Sequence, residues 1–436
     1  MMVAIPSGMQ EYLFTFGILA SLAGTIIAAV KSRKDIRSVL SGYGLDRMHV
    51  LLMVVVVLAF VVLEIMIVKP TQQLFFDDAI YQAMALDLLH TGQAWMCNYG
   101  TMTSCFSGEI FHEPIGESFN LAIGFLILGV HRYSAYYTNF ALSAIAVAFT
   151  YLSALVLFGK RRIALLSELF IALSPVMLVW AMPTTSDMPM LAYSLISIFC
   201  MLIFLRKKTL WTFGLALFSL SLLAYMKVDA VVYLVVIPFM YVVLDNKGIM
   251  PSIKANISMV NDNLFNTKAL VMLLVFAMAI SPELGFAHSE LVGGSFGFQG
   301  AYVQESCNLR YTVVAKSAIN LQNFGANICS NFFFWFDAYK SDYVMQPIIF
   351  TAFGIFGAIS MFILRKRREL LALGIWFLAF FLIYTAFYAG SVVYGVDWRF
   401  MLSLIAQASI FAGFGMETLI SLGRPKRKNM DDQHAQ

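Results

Sequence analysis

Charged residues are scarce in this chain. Asp, Glu, Lys and Arg make up 12% of its 436 residues, whereas about a quarter of a soluble domain is charged. Hydrophobic residues make up 60%, and the mean hydropathy is +0.78. This balance excludes a soluble globular fold for most of the chain. The net charge of +4 is small and requires no nucleic-acid partner.

Cysteine and histidine are also few, with five and six copies. No Cys and His residues cluster with the spacing of a zinc site. Four of the cysteines lie in two polar segments, as the pairs Cys97 with Cys105 and Cys307 with Cys329. Two local pairs favour two disulfide bonds, one in each segment, in an oxidising compartment. Other pairings and free thiols remain open.

Long apolar runs dominate the rest of the chain. They form continuous blocks of about 15–25 residues, the length that crosses a bilayer as a helix, without the alternation of a transmembrane strand. The sequence therefore predicts an all-α, polytopic membrane protein with about eleven transmembrane helices. The predicted spans are 12–30, 49–68, 134–158, 163–182, 188–205, 210–226, 230–244, 269–287, 343–364, 370–387 and 400–421. The first run is long and ends at basic residues, which favours a span over a cleavable signal peptide.

Lys and Arg are concentrated in every second loop. The basic loops are 31–48, 159–162, 206–209, 245–268 and 365–369, which with the tail hold 22 of the 29 Lys and Arg residues. The positive-inside rule places these loops and the C-terminus in the cytoplasm and the N-terminus outside. The segments then predicted on the non-cytoplasmic face, whether periplasmic, extracellular or lumenal, are 69–133, 288–342 and 388–399.

Residues 1–421 are predicted to form a single transmembrane domain, followed by a cytoplasmic tail, 422–436. The first outside loop, 69–133, contains two stretches with helical patterns, Ala79–His90 and Ile115–Leu128. Both are too short to span a bilayer. We therefore expect them to lie in the membrane interface or, for the second, to be re-entrant.

Two adjacent carboxylates, Asp77 and Asp78, follow directly after the second predicted span. A carboxylate at that depth is partly desolvated, which raises its pKa and makes it a better base. Such a base could take a proton from an acceptor hydroxyl. The alternative is structural, because Asp78 could cap a helix that starts near Ala79, or both could belong to a solvated loop.

Further charged residues lie on the same predicted face. His112-Glu113-Pro114 presents a carboxylate from an extended backbone, and Glu117 follows it. Asp187 lies in a short turn, and Asp229 lies beside Lys227 in another. Each could equally be a loop or turn residue, or part of an ion pair that satisfies itself.

Asp397-Trp398-Arg399 comes immediately before the last span. Arg399 could hold a phosphate by bidentate hydrogen bonds. The alternatives are snorkelling to the interface and an ion pair with Asp397. Glu64 and Glu168 lie inside predicted spans, where a carboxylate is costly, so both should face the bundle interior or an interface.

The order of these motifs resembles that of the GT-C glycosyltransferases, in particular the dolichyl-phosphate-mannose protein mannosyltransferases and the bacterial transferases that put aminoarabinose on lipid A. The run Asp77-Asp78-Ala-Ile-Tyr81 resembles the Asp-Glu-x-x-Tyr opening of that family's first outside loop. The later matches are His112-Glu113-Pro114, Gly129–Tyr133, Ser174-Pro175 with Asp187, Lys227, and Asp397–Phe400. Together they extend over about three-quarters of the chain.

The resemblance implies inverting transfer of a sugar from a polyprenyl phosphate to a protein, glycolipid or polysaccharide. The carboxylate of Asp77, with Asp78 beside it, would be the general base. The residues implied in substrate binding are Tyr81, Glu113, Arg132, Asp187, Lys227, Asp397 and Arg399. Among these, the cations Arg132, Lys227 and Arg399 would stabilise the leaving phosphate. Some relatives need a divalent cation such as Mg or Mn and others do not, and Asp77, Glu113 and Asp187 could supply oxygen ligands.

The chain departs from the family pattern at Asp78, where the family has Glu, and at Glu113, where it has Lys. It also has one additional N-terminal span. Two other functions stay open. A transporter or flippase would use charges at the membrane midplane, where only Glu64 and Glu168 are available. A non-catalytic protein that binds a lipid-linked sugar or assembles a glycan complex would tolerate loss of Asp77.

Overall fold

The computed structural model describes residues 7–68, 70, 75–93, 96–101, 104–109, 114–131, 133–245, 267–293, 301–304, 311–314, 348–386, 399 and 402–423. The description is limited to the backbone at 7–11, 75–77, 96–101, 104–109, 288–293, 301–304, 311–314, 348 and 384–386. Helices dominate, and the all-α prediction is confirmed. Two short antiparallel hairpins, which the apolar pattern of the sequence did not predict, accompany the helices.

The helices follow the apolar runs of the sequence. They are α1 Ser7–Gly42, α2 Arg47–Ile67, α3 Phe75–Thr91, α4 Gly116–Leu128, α5 Ser134–Phe158, α6 Arg161–Ala172, α7 Pro175–Trp180, α8 Asp187–Lys207, α9 Leu210–Ala224, α10 Tyr233–Leu244, α11 Thr267–Gly293, α12 Ile348–Ile363, α13 Arg367–Ala386 and α14 Leu402–Leu422. A 3₁₀ helix, Val228–Val232, precedes α10. The hairpins are β1 Met96–Thr101 with β2 Ser104–Glu109, and β3 Ala301–Gln304 with β4 Tyr311–Val314.

Each predicted span overlaps one of these helices or two in succession. Within the described ranges, six helices are long and apolar enough to cross a membrane, namely α1, α2, α5, α8, α11 and α14. Four shorter apolar helical stretches are α4, α9, the 3₁₀ helix with α10, and α12. Glu64 in α2 and Glu168 in α6 are fully buried, which confirms that both face the interior.

Two predicted boundaries are wrong. Helix α1 continues to Gly42, so most of the segment 31–48 is helical rather than a loop. The predicted span 163–182 is broken into α6 and α7. Pro175 causes this break, because proline lacks the N–H that a continuous helix needs at that position and fits well at the first position of a new helix.

Helix α8 lies at the centre of the bundle. It is buried along most of its length and packs against α5 and α9. Helix α14 packs against α6 and α12, and α1 packs against α9 and α11. The first residue of α8, Asp187, is therefore surrounded by protein at one end of the bundle.

Several loops predicted as cytoplasmic meet at the opposite end. Lys207 donates from Nζ to Ser38 Oγ at 2.8 Å, which joins the end of α8 to α1. Arg161 donates from Nε to the Tyr43 carbonyl at 3.4 Å, which joins the start of α6 to the segment after α1. Three of the basic segments, 31–48, 159–162 and 206–209, thus share one end of the bundle. Which side of the membrane that end faces stays a prediction.

Helix α4 anchors the end of the bundle that carries Asp187. It contacts α3, α5 and α8, and nine of its 13 residues are buried, while Leu126–Leu128 are exposed. Gly116 donates its N–H to the Tyr225 carbonyl at 2.9 Å, and a Cβ at Gly116 would lie 2.2 Å from that oxygen. Glycine is required for this close approach, which fixes the start of α4 against the segment that precedes Lys227.

Candidate active site

Asp78 lies in the first turn of α3, and its side chain is fully buried. Its Oδ1 accepts two hydrogen bonds from Thr184, one from the backbone N at 2.7 Å and one from Oγ1 at 2.6 Å. Gln82, one turn further along α3, donates from Nε2 to Thr184 Oγ1 at 3.3 Å. The alternative that Asp78 caps a helix starting near Ala79 is wrong, because α3 begins at Phe75 and Asp78 accepts from a distant segment.

The segment between α7 and α8, residues 181–186, is fixed from two sides. On one side Thr184 donates to Asp78 of α3. On the other, Asn139 of α5 donates from Nδ2 to the Pro183 carbonyl at 2.6 Å and to the Thr185 carbonyl at 3.5 Å. Because this segment leads directly into α8, these bonds set the position of the first residue of α8 relative to α3.

That first residue, Asp187, is buried between two cations. Lys227 Nζ donates to its Oδ1 at 2.8 Å, and Arg399 Nε lies 3.6 Å from its Oδ2. Lys227 Nζ also lies 3.5 Å from Asp229 Oδ2. Side-chain exposure is only 1% for Asp187, 8% for Lys227 and 13% for Arg399, so water screens these charges weakly. Asp187 is therefore more than a turn residue, and Lys227 is shared between two aspartates.

Glu117, the second residue of α4, lies beside this cluster and is fully buried. Among the described residues, neither of its carboxyl oxygens has a hydrogen-bond partner. Burial raises the pKa of Glu117 well above its usual range, and the negative charges of Asp78 and Asp187 raise it further, while the side chain of Asn139 opposes the shift. Burial and the acidic neighbours of Glu117 therefore both disfavour its charged form.

The remaining predicted site residues divide into three groups. Tyr81, on α3, is buried in the protein. Asp77 precedes Asp78 in α3, and the structure describes its backbone alone. Glu113, Arg132 and Asp397 lie outside the described residues, so their roles stay predictions. The structure thus brings together Asp78, Asp187, Lys227 and Arg399, which are far apart in sequence.

The first predicted cysteine pair lies on strands that pair with each other. Cys97 is in β1 and Cys105 is in β2, but they are not opposite one another, since Cys97 faces Gly108. The side chains of this pair lie outside the described part of the structure, and so do Cys307 and Cys329. Both disulfide bonds stay predictions.

Sequence reasoning missed two residues that organise the site, Thr184 and Asn139. Asn139 carries a signal that could have been used, because an amide inside an apolar run must find a partner. Thr184 carries no such signal, since threonine is common in turns. Glu117 was noticed as one acidic residue of a loop, but its burial could not be foreseen from the residues around it.

The cluster could bind an anion or a sugar. Lys227 and Arg399 are cations of the kind that bind phosphate, and Asp187 holds both at one place. Within the described ranges, no group of three or more His, Cys, Asp and Glu side chains is placed to hold a metal ion. The ligand set expected from Asp77, Glu113 and Asp187 is described only at Asp187, so a need for Mg or Mn stays a prediction.

Comparison with known proteins adds independent evidence on the fold. Residues 112–284 match the family model of dolichyl-phosphate-mannose-protein mannosyltransferase. A search of curated protein sequences finds no match. ArnT from Cupriavidus metallidurans bound to undecaprenyl phosphate is similar in structure, with a TM-score of 0.51 and 15% identity, over 84% of this chain and 60% of the ArnT chain.

An apo oligosaccharyltransferase from Archaeoglobus fulgidus is also similar, with a TM-score of 0.51 and 14% identity, over 87% of this chain and 51% of that chain. The chain thus spans about half to three-fifths of the length of these structures. At such identities the likeness concerns the fold. The chain has the fold of the GT-C membrane glycosyltransferases and resembles the dolichyl-phosphate-mannose protein mannosyltransferases and ArnT.

Proposed function

We propose that this chain is an integral membrane glycosyltransferase. It moves a sugar from a polyprenyl-phosphate-linked donor to an acceptor on the non-cytoplasmic face, with inversion at the sugar carbon and an aspartate as general base. The acceptor is a protein, a glycolipid or a polysaccharide. The observation that carries the proposal is the buried cluster in which Asp187 holds Lys227 and Arg399 beside the helix that bears Asp77 and Asp78.

The reaction requires one bond to form and one to break. The acceptor hydroxyl oxygen attacks the anomeric carbon of the sugar, and the bond from that carbon to the phosphate oxygen breaks. The hydroxyl proton goes to the general base, and the polyprenyl phosphate leaves with the electron pair of the broken bond. The phosphate therefore gains negative charge, and the site must supply positive charge where it leaves.

Lys227 and Arg399 are the described cations suited to this task. Their pairing with Asp187 restrains long side chains that would otherwise be mobile. A guanidinium has five N–H donors, so Arg399 can meet Asp187 through Nε and still present donors to a phosphate. Asp187 in this proposal orients the two cations, and its own charge is neutralised by them.

Asp77 is proposed as the general base. Asp78 is the less suitable candidate, because its Oδ1 already accepts from the N–H and the hydroxyl of Thr184. That oxygen is therefore already engaged by the protein, which leaves it poorly placed to meet a substrate hydroxyl. Asp77 is its neighbour on the same helix, so Asp78 and Thr184 fix the backbone from which Asp77 is presented.

The experiment is transfer by the purified protein from a panel of radiolabelled polyprenyl-phosphate sugars to candidate acceptors. Removal of a general base typically lowers a rate about 10²–10⁴-fold, so we expect that loss in Asp77→Asn with folding intact. Asp87→Asn is the matched control, since Asp87 lies near the other end of the same helix. Activity in Asp77→Asn equal to that of the wild type would move the base to Asp78, Glu113 or Asp187.

The same panel separates the two alternative functions. A protein that only binds or assembles lipid-linked glycans would retain donors without turnover and would tolerate Asp77→Ala. A flippase would move the donor between leaflets of a vesicle without breaking the bond from sugar to phosphate. Chelation with EDTA followed by readdition of Mg or Mn would decide whether a divalent cation takes part.

A further inference from the structure

Helix α1 is longer than a bilayer requires. It has 36 residues, which at 1.5 Å per residue make a helix of about 54 Å, whereas the hydrocarbon core of a bilayer is about 30 Å thick. Its apolar run comes first, and its four basic residues all lie in the last third of the helix, at Lys31, Arg33, Lys34 and Arg37. This last third therefore extends beyond the part of α1 that lipid tails can cover.

Exposed side chains of α1 form one stripe that changes from apolar to basic. The apolar part consists of three exposed side chains, Ile26, Ile27 and Val30. Three exposed cations follow and together form the basic face of α1, which consists of Arg33, Lys34 and Arg37. They lie three, four and seven residues after Val30, the spacings that keep side chains on one side of a helix. The edge of the hydrocarbon layer therefore lies between Val30 and Arg33.

A tryptophan marks the same level on the neighbouring helix. Trp211 is the second residue of α9, which packs against α1, and Lys31 Nζ lies 5.9 Å from the centroid of the Trp211 ring. Tryptophan is enriched where a membrane meets water, and a lysine at that level holds its ammonium group in the polar layer. The basic face begins two residues after Lys31, just beyond this boundary.

The basic face lies within reach of the lipid headgroups. Along the helix axis, Arg33 and Lys34 are about 4.5 and 6 Å beyond Val30, and the headgroup layer is about 5–8 Å thick. Arg37 is about 10 Å beyond Val30. Side chains of a helix tilt towards its N-terminus, and in α1 that direction leads back to the membrane. All three cations can therefore reach phosphates of the same leaflet.

The protein itself does not use the charges of the basic face. Lys207, at the same end of the bundle, donates from Nζ to Ser38 Oγ at 2.8 Å. Asp35 lies within the basic stretch of the sequence, but its Oδ2 accepts from Thr209 Oγ1 at 2.9 Å, on the side where α1 meets the start of α9. Within the described ranges, no hydrogen bond or ion pair is made by the three cations of the basic face. Their positive charge is thus presented outward.

We propose that the basic face of α1 binds the headgroups of anionic phospholipids in the leaflet at this end of the bundle. Phosphodiester oxygens are the acceptors that guanidinium and ammonium groups prefer, and the apolar part of the stripe lies where the tails of the same lipids would pack. Basic clusters directly beyond a membrane span attract anionic lipids in this way. The inference does not depend on the proposed function, because it concerns the end of the bundle opposite to Asp187.

The test measures crosslinking to α1 in the purified protein, reconstituted in phosphatidylcholine vesicles that contain photoactivatable phosphatidylglycerol. Crosslinks are mapped by mass spectrometry, and the phosphatidylglycerol fraction is varied to find half-saturation at α1. A cation near an anionic membrane surface is worth about fivefold in affinity. Half-saturation should therefore need about five times more phosphatidylglycerol in Lys34→Gln. The triple variant Arg33→Gln, Lys34→Gln, Arg37→Gln should crosslink no better to this lipid than to a phosphatidylcholine analogue.

Two further variants serve as controls. Lys34→Arg keeps the positive charge and should keep half-saturation within about twofold of the wild type, since each charge is worth about fivefold. Lys207→Gln removes one positive charge at the same end of the bundle, but from a lysine that already contacts Ser38. It should also leave half-saturation nearly unchanged. The unfolding temperature of Lys34→Gln should equal that of the wild type, because Lys34 is exposed.

Equal crosslinking of phosphatidylglycerol and phosphatidylcholine analogues to wild-type α1 would overturn the inference. Equal shifts in Lys34→Gln and Lys207→Gln would also overturn it, since they would indicate a diffuse effect of net charge. Inorganic phosphate should weaken crosslinking only as much as chloride of equal ionic strength does. A larger loss with phosphate would assign the cations to a soluble anion, and a lower unfolding temperature in Lys34→Gln would assign Lys34 to the fold.

Discussion

The ion pair of Asp187 with Lys227 gives the sharpest prediction on stability. Lys227 Nζ lies 2.8 Å from Asp187 Oδ1, and the side chains of Asp187 and Lys227 are 1% and 8% exposed. Removing one partner of a buried pair typically costs about 3–5 kcal/mol, because the other charge is left without compensation. In Asp187→Asn, Lys227 Nζ still lies 3.5 Å from Asp229 Oδ2. We therefore expect the free energy of unfolding to fall by about 3 kcal/mol, near the lower limit of this range.

A double-mutant cycle separates the pair from its surroundings. Lys227→Met should also destabilise the protein, and the double variant Asp187→Asn with Lys227→Met should cost less than the sum of the two. A coupling energy of about 0.5–3 kcal/mol is expected for residues in contact. The measurement is chemical or thermal unfolding of the purified protein in detergent, monitored by a spectroscopic signal of helix content.

The control is an exposed ion pair in the same protein. Lys366 Nζ lies 3.5 Å from Glu369 Oε1, with side chains 47% and 20% exposed. Solvent screening limits such a pair to about 0–1 kcal/mol, so Glu369→Gln should change little. The reasoning would be refuted if Asp187→Asn cost no more than Glu369→Gln, or if the single losses added without coupling.

Two further substitutions test the packing around the site. Thr184→Val keeps the backbone donor to Asp78 and removes the hydroxyl donor, so the free energy of unfolding should fall by about 1–3 kcal/mol. The control is Thr150→Val, because the Thr150 hydroxyl donates only to the Ala146 carbonyl within α5. It should show a smaller effect in the same unfolding assay. Gly116→Ala would place a Cβ 2.2 Å from the Tyr225 carbonyl oxygen and should lower the unfolding temperature. The control is Gly374→Ala, whose added Cβ would meet no described atom within 4 Å. That variant should raise the free energy of unfolding by about 0.5–1 kcal/mol. Equal unfolding temperatures for the two alanine variants would contradict the close approach at Gly116.

The sequence by itself determined the class of protein and the positions of its helices. A long apolar run can satisfy its backbone in a bilayer only as a helix, so composition and run length were sufficient to predict the spans. The break at Pro175 was missed because the apolar pattern continues across it, although proline cannot continue the hydrogen-bond pattern of the helix. The extension of α1 to Gly42 does not follow from the apolar pattern, because the helix continues through basic residues beyond the apolar run.

Only the tertiary structure decided which charged residues meet. Asp187, Lys227 and Arg399 come from three separate places in the chain, and no spacing rule relates them. The sequence predicted each of them as a site residue, but it equally predicted residues whose surroundings the structure does not describe. Packing of α4 against α3 and α8 likewise buried Glu117, because burial depends on every neighbour in space rather than on the neighbours in sequence.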